Sequence, residues 1–247
     1  ARLGLFYDLY VPDVNITNYP VPDIFYPKNV KSTEIQDPQS GLLMKTLIPL
    51  LKSNEKGDIM VFITSGSAAN KLKKAIDMMV EKNPSQYPLL PWVSIFESKT
   101  DDEVKKFIMG ESGYNYRDLV GKKYNRRVIL STPVAEFGGT VQNDIDGVPL
   151  KWVIDTGLRH AVSYDATKFA TVRGDEFIAK SSIQQRCGRV GRVAPGVCIR
   201  MYSEDQYKNK FIEQTINEID ESDITSDFLG IMSLPNIHNF SKTLYSF

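Results

Sequence analysis

Apolar residues along this chain recur with two alternating periods. Asp58, Ile59, Met60, Val61, Phe62, Ile63 and Thr64 form a short, mostly apolar run bounded by Gly57 and Gly66, which predicts a strand buried on both faces of a parallel sheet. Directly after it, Leu72, Ala75, Ile76, Met79 and Val80 follow the i, i+3, i+4, i+7, i+8 spacing of an amphipathic helix, with Lys71, Lys73 and Lys74 turned to water. The pattern then repeats. Leu89 to Phe96 predicts a second strand, and Thr100 with Glu103 has the spacing of a capping box that opens a helix through Val104, Phe107 and Ile108 and stops at Gly110. Arg127 to Leu130, Leu150 to Ile154 and Val197 to Tyr202 predict further strands. Strands separated in this way by helices or loops imply an α/β fold, a parallel sheet flanked by helices.

Several stretches depart from that alternation. Residues 1–38 carry five prolines among alternating apolar positions (Leu3, Leu5, Tyr7, Leu9), which suits edge or covering strands. Residues 110–126 are rich in glycine, tyrosine and charge without a period and predict an exposed insertion. Between Arg159 and Lys180 a weak alternation through Val162, Tyr164, Phe169 and Val172 predicts a projecting β-hairpin. Ser203 to Glu213 predicts a capped helix with Tyr207 and Phe211 one turn apart, and from Ile216 onward the chain reads as the start of a helical extension. Three parts are expected: connecting and covering strands over 1–38, an α/β domain over 39–213, and the extension over 214–247.

Composition narrows the partners. The 247 residues carry thirty basic and thirty acidic side chains, so a nucleic-acid partner must be held by a local arrangement and not by a globally basic surface. Cys187 and Cys198 are too few for a disulfide framework and match no zinc pattern, which predicts two buried packing residues. No apolar run approaches the roughly 18 residues of a membrane span, and a reducing, cytoplasmic setting is expected, or a virion or viral replication site in the cytoplasm.

The densest chemistry lies in the run Gln185-Arg186-Cys187-Gly188-Arg189-Val190-Gly191-Arg192. Arginine presents a planar fork of donors that stays charged, so Arg189 and Arg192, on neighbouring turns if the segment is helical, suit one transferred phosphoryl group. Gly188 and Gly191 keep that face open. A solvated basic helix has no use for two glycines, each costing about 1 kcal/mol relative to alanine. Ser182 and Gln185 have capping-box spacing, which predicts a helix starting just before the arginines.

This run resembles motif VI of superfamily 2 helicases, in the DEAH-box and related viral branch that includes flavivirus, potyvirus and poxvirus RNA helicases. Ser131-Thr132-Pro133-Val134-Ala135-Glu136-Phe137-Gly138-Gly139-Thr140 resembles motif V, Val153-Ile154-Asp155-Thr156-Gly157 the segment that trails it, and Met60 to Ser65 motif IV. The order and spacing are those of a second RecA-like domain.

The resemblance implies a RecA-like sheet and a set of roles. Arg189 and Arg192 become arginine fingers, with Gln185 positioning the attacking water. Arg186 braces the fold through a carboxylate. Gly138 lets backbone approach nucleotide, and Asp155, placed with it at the nucleotide, either bonds the motif VI arginines or caps its loop. Ser65, Thr132, Glu136 and Thr140 meet the sugar-phosphate chain. Pro133 and Phe137-Gly138-Gly139 depart from the commoner pattern and lean toward the viral relatives. Implied cofactors are ATP and Mg2+, held mainly by a first RecA-like domain, and the implied partners are that domain and single-stranded or tailed RNA, with DNA possible. The chain has neither the phosphate-cradling Gly-x-x-x-x-Gly-Lys-Ser/Thr loop nor an acidic metal box. The expectation is the C-terminal half of an ATP-dependent RNA helicase, inactive by itself, with a catalytically idle RNA-binding or interaction module as the alternative.

Overall fold

The structure is a computed structural model that describes residues 19–35, 41–119, 123–133, 141, 144–165, 170–214 and 229. The chain divides into two compact units, residues 1–159 with 175–215, and residues 160–174 with 216–247.

The first unit is built on a sheet. In chain order its strands are β1 (Asp23–Phe25), β2 (Asp58–Phe62), β3 (Pro91–Phe96), β4 (Arg126–Ser131), β5 (Asp144–Ile145), β6 (Val148–Asp155) and β9 (Val197–Arg200), arranged β1-β9-β6-β2-β4-β3. All neighbours on that path are parallel, and β5 pairs antiparallel to β6. The helices are α1 (Ser32–Ile35), α2 (Leu42–Lys52), α3 (Gly66–Lys82), α4 (Asp102–Met109), α5 (Lys180–Cys187) and α6 (Glu204–Asn209). Strand β2 is central, with β4 on one side and β6 on the other. Ile59, Met60, Val61 and Phe62 are fully buried there, each contributing about 1.5–3 kcal/mol of apolar transfer.

Two buried arginines fasten the amino edge. Arg126 donates to the carbonyls of Leu50, Ser53, Glu55 and Gly57 and so satisfies backbone acceptors at the end of α2. Arg127 pairs with Asp58 at 2.9 Å with both side chains fully buried, and the Tyr116 hydroxyl donates to the same carboxylate. Tyr116 is fully buried and stacks on Trp92, its ring 5.8 Å away and tilted by only 7°. Among the described residues of 110–126, Glu111 to Gly113, Lys123 and Asn125 are exposed as expected of an insertion, but Tyr116 joins the core because its ring finds an apolar slot against β3.

Helix α4 ends at Gly110 in the left-handed conformation, as expected, but its N-cap is Asp101, whose carboxylate accepts from the amides of Glu103 and Val104. Thr100 instead ties the preceding turn, donating to the Ile95 carbonyl and accepting from the Glu97 amide. Ser203 and Gln206 form the capping box of α6, which is shorter than the expected span to Glu213. Strands β7 (Leu158–Asp165) and β8 (Ala170–Phe177) pair as a separate two-stranded sheet, the hairpin expected between Arg159 and Lys180. Its base, in the first unit, carries the Arg159–Glu176 ion pair at 2.5 Å. Strand β1 is an edge strand on β9; residues 1–18 and the expected extension, apart from the helical Leu229, lie outside the described residues.

Candidate functional site

Helix α5 begins near the carboxyl end of β6, where the Ile178 amide donates to the Gly157 carbonyl. Its N-cap is Ala179, without a side-chain cap. The first-turn amides of Lys180 and Ser181 donate to the carbonyls of Ile212 and Glu213, so tertiary contacts do the work expected of Ser182, which is buried inside the helix. The helix ends at Gly188.

Arg189 and Arg192 consequently lie beyond the helix, on the connection to β9, and not on neighbouring helical turns. That connection is held tightly. Gly191 has φ +77°, a left-handed turn that L side chains rarely adopt. Its role is to turn the backbone, which is more specific than leaving a face open. Its carbonyl accepts from the Tyr19 amide at 2.9 Å, and the Val190 side chain is fully buried. Arg192 Nε donates to the Gly188 carbonyl at 2.9 Å. Both arginines are half-buried, and burial draws Arg192 below its ordinary value while leaving it cationic near neutral pH. Gln185 is half-buried on the last turn of α5.

The connection is also closed covalently. Cys187 and Cys198, expected as packing residues, are buried and joined by a disulfide with a Cα–Cα separation of 5.5 Å. Their separation of 11 residues makes the cross-link worth about 3 kcal/mol of chain entropy.

Arg186 turns the other way, into the protein. Its Nη1 donates to Asp155 Oδ1 at 2.9 Å, both side chains fully buried, and its guanidinium lies 5.0 Å from the Phe62 ring centre. Asp155 accepts also from the Gly157 amide at 2.9 Å and from the Tyr202 hydroxyl at 2.8 Å. It thus bonds a motif VI arginine and caps its own loop. A carboxylate so enclosed has no face open to nucleotide, so the placement of Asp155 at a cofactor becomes a bracing position. Tyr202, to which the sequence reading gave no role, reaches Asp155 because its ring packs on Gly157, where φ is +69° and a Cβ would lie 2.5 Å from the ring. Burial and then the Asp155 charge push the Tyr202 hydroxyl well above its ordinary value, so it remains a donor. The adjacent Thr156 hydroxyl ties the loop to β2 by donating to the Phe62 carbonyl at 2.8 Å.

A second group of residues occupies the carboxyl edge of the sheet. Ser65 follows β2 and caps α3, accepting from the Ala68 amide at 3.3 Å. Thr132 follows β4; its amide donates to the Phe96 carbonyl at 3.0 Å, and its half-buried hydroxyl makes only a long contact of 3.4 Å to the same oxygen. The Glu97 carboxylate lies against Gly66, where a Cβ would be 2.0 Å from Oε2. Glu136, Gly138 and Thr140 lie outside the described residues.

The structure therefore separates two sets. Ser65 and Thr132 share the carboxyl edge, whereas the arginine connection descends toward Gly196 and the backbone of Lys151, at the amino ends of β9 and β6. Arg186 and Asp155 join them. Two half-buried guanidiniums on a short, fixed turn suit a polyanion such as a triphosphate. A divalent metal is less well served: among the described residues the one candidate cluster is Asp23 with Cys187 and Cys198, whose sulfurs are bonded to each other. No described helix is long and apolar enough to cross a membrane.

No family model matches the chain. Among curated proteins it is 26% identical over 212 residues to human ATP-dependent RNA helicase DHX33, covering 83% of this chain and 27% of that protein. It is 30% identical over 220 residues to the putative ATP-dependent RNA helicase L540 of Acanthamoeba polyphaga mimivirus, covering 89% and 28%. With the ATP-dependent RNA helicase HrpA homolog of Haemophilus influenzae it shares 28% identity over 222 residues, 90% and 15% of the two chains. The homologues are DEAH-type ATP-dependent RNA helicases. The chain spans about a quarter of the length of the first of these relatives, which are mostly cellular or bacterial. The crystal structure of the E. coli DExH-box NTPase HrpB superposes with a TM-score of 0.65 at 16% identity, over 87% of this chain and 23% of that one. The fold is that of a helicase RecA-like domain.

Proposed function

We propose that this chain is the second RecA-like half of an ATP-dependent RNA helicase, furnishing arginine fingers for NTP hydrolysis and sugar-phosphate contacts for movement along a strand. The observation that carries the reading is the arrangement of Arg189 and Arg192 on a covalently closed turn, joined through the fully buried Arg186–Asp155 pair to the sheet edge that bears Thr132. The similarity to helicases supports it; a viral source is the finer form of the reading and rests on the departures at Pro133 and Phe137-Gly138-Gly139.

When bound, ATP supplies the γ-phosphoryl group and Mg2+ neutralises charge on the β and γ oxygens. Arg189 and Arg192 donate to phosphoryl oxygens where negative charge develops, from across the cleft that faces the first lobe. Gln185, one turn ahead of Arg189, orients the attacking water. Arg186 and Asp155 hold that segment in place from behind. Gly138 gives the nucleotide a close backbone approach. Ser65 and Thr132 at the carboxyl edge, together with Glu136 and Thr140 of the motif V run, hold the strand by its backbone, which fixes position without reading sequence. The first lobe carries the phosphate loop and most of the metal ligation, so the 247-residue chain alone has negligible ATPase activity, and strand movement runs 3′ to 5′ as in the resembling enzymes.

RNA-stimulated ATPase assays on the two-lobed protein test the proposal. Arg189→Ala and Arg192→Ala should each lower turnover by about 10³-fold with RNA affinity in the absence of nucleotide unchanged. Parental turnover in both variants overturns it.

A further inference from the structure

We propose that Cys187 and Cys198 are a reversible dithiol–disulfide latch that sets the order of the turn carrying Arg189 and Arg192 and thereby regulates hydrolysis; the regulatory part rests on the arginine-finger reading. The two cysteines bracket the turn. Cys187 is the last residue of α5 and Cys198 the second of β9, so the bond joins the two elements between which Gly188 to Gly196 is suspended. Non-covalent restraints on that segment include the Tyr19 amide on the Gly191 carbonyl, the Arg189 and Val190 amides on the Arg186 and Cys187 carbonyls, the Arg192 guanidinium on the Gly188 carbonyl, and the buried Val190 side chain. Breaking the sulfur bond removes the covalent closure and leaves the turn to non-covalent contacts.

The surroundings favour exchange at one sulfur. Cys198 is fully buried, whereas Cys187 retains 8% of its surface. The Asp23 carboxylate reaches within 4.8 Å of both sulfurs and is itself bound by Arg200, whose Nε and Nη2 donate to it at 3.1 and 2.8 Å. The sulfurs thus lie beside a carboxylate whose charge is balanced by a guanidinium.

The oxidant is a small-molecule disulfide of the glutathione class. Cys187 thiolate attacks one of its sulfurs and expels the first small thiol, leaving a mixed disulfide. Cys198 thiolate then attacks the Cys187 sulfur and expels the second. Two protein S–H bonds become one S–S bond, the small disulfide takes up two electrons, and both protons leave on the two small thiols. A pair of this kind in a reducing compartment is a sensor more often than a staple.

The test combines thiol trapping, hydrogen exchange and turnover. The 247-residue protein is equilibrated with reduced and oxidised glutathione over a range of ratios, alkylated with iodoacetamide and digested, and the linked Cys187–Cys198 peptide is quantified by mass. The linked fraction should rise reversibly with oxidation. Amides of residues 189–193 should exchange about tenfold faster in the reduced form, while those of β2, β4 and β6 stay unchanged. In the two-lobed protein, reduction should lower ATP turnover by about tenfold through loss of arginine pre-organisation, at unaltered RNA affinity. Cys187→Ala with Cys198→Ala should fix turnover at the reduced level and abolish its redox response; Cys198→Ser, which retains Cys187, should do the same. No linked peptide at any ratio, or equal exchange of the turn in the two forms, overturns the latch. A linked peptide with redox-independent turnover, in a protein whose Arg189→Ala variant is inactive, overturns the regulatory claim and leaves the arginine fingers standing. Full activity of Arg189→Ala and Arg192→Ala fails the finger reading and with it the regulatory claim, whereas the exchange result judges the latch by itself.

Discussion

Replacing Arg186 by alanine should destabilise the fold more than any substitution of the two arginines that follow it. Arg186 and Asp155 are both fully buried and meet at 2.9 Å, so truncating the arginine leaves a carboxylate in the interior with only the Gly157 amide and the Tyr202 hydroxyl to solvate it. Breaking a buried pair from one side costs about 3–5 kcal/mol. The guanidinium also packs on Phe62, so a cavity penalty adds to the electrostatic one. With a urea dependence of about 2–3 kcal/mol per molar for a domain of this size, the unfolding midpoint should fall by about 1.5 M. Arg189→Ala and Arg192→Ala, at half-buried positions, should move it by about 0.3 M or less. Tyr202→Phe is intermediate, since it removes one donor to a charged acceptor, worth about 1.5–3 kcal/mol. Urea titrations followed by far-UV circular dichroism decide the matter. A midpoint for Arg186→Ala within 0.3 M (about 0.75 kcal/mol) of the parent would refute the bracing role of the pair.

Two further outcomes follow from the geometry. The Tyr116 hydroxyl is pushed up to about 12 from an ordinary 10.0 by burial and by the Asp58 charge; because the folded state holds its proton more tightly than the unfolded chain, the associated stability is complete below pH 10 and lost as pH rises toward 12, by about 3 kcal/mol. Urea midpoints between pH 9 and 12 should therefore fall more steeply in the parent than in Tyr116→Phe, and equal slopes would contradict the assignment. Thr132→Val deletes a hydroxyl whose one hydrogen bond among the described residues is 3.4 Å long, so stability should change by less than about 1 kcal/mol while affinity falls equally for two unrelated single-stranded RNAs in anisotropy titrations; a loss confined to one sequence would argue against a backbone contact.

How much of this was legible in the sequence depended on whether the signal was local. The run from Asp58 to Phe62 and the helix after it carry their own periods, and the left-handed end of α4 is announced by Gly110. The start of α5 is not local: its amides are satisfied by carbonyls 32 residues ahead, at Ile212 and Glu213, so the Ser182–Gln185 spacing pointed to a cap that the helix does not need. Thr100 was similarly outbid by the shorter reach of Asp101. Helix α2 carries Leu43, Leu47 and Leu51 at four-residue spacing, all buried, yet Pro49 lies inside it, and its end is secured by Arg126 from a distant strand. At the site, the partnership of Arg186 with a carboxylate was implied by the resemblance of its run to motif VI. The enclosure of Asp155 was not, because it depends on the Tyr202 ring lying over a glycine 45 residues earlier in the chain. Nor was the sulfur bond, since two cysteines at 11-residue spacing specify nothing until α5 and β9 bring their Cα atoms together.

The arginine-finger assignment is tested most directly by the difference between ground-state and transition-state binding. In the two-lobed protein, affinity for Mg2+ and ADP should be the same in the parent, Arg189→Ala and Arg192→Ala, while affinity for Mg2+, ADP and aluminium fluoride, which imitates the transferring phosphoryl group, should fall by at least about 100-fold in each variant. Equal affinity of parent and variants for the aluminium fluoride complex would contradict the account, because two guanidiniums that do not distinguish the transition state do not accelerate the reaction.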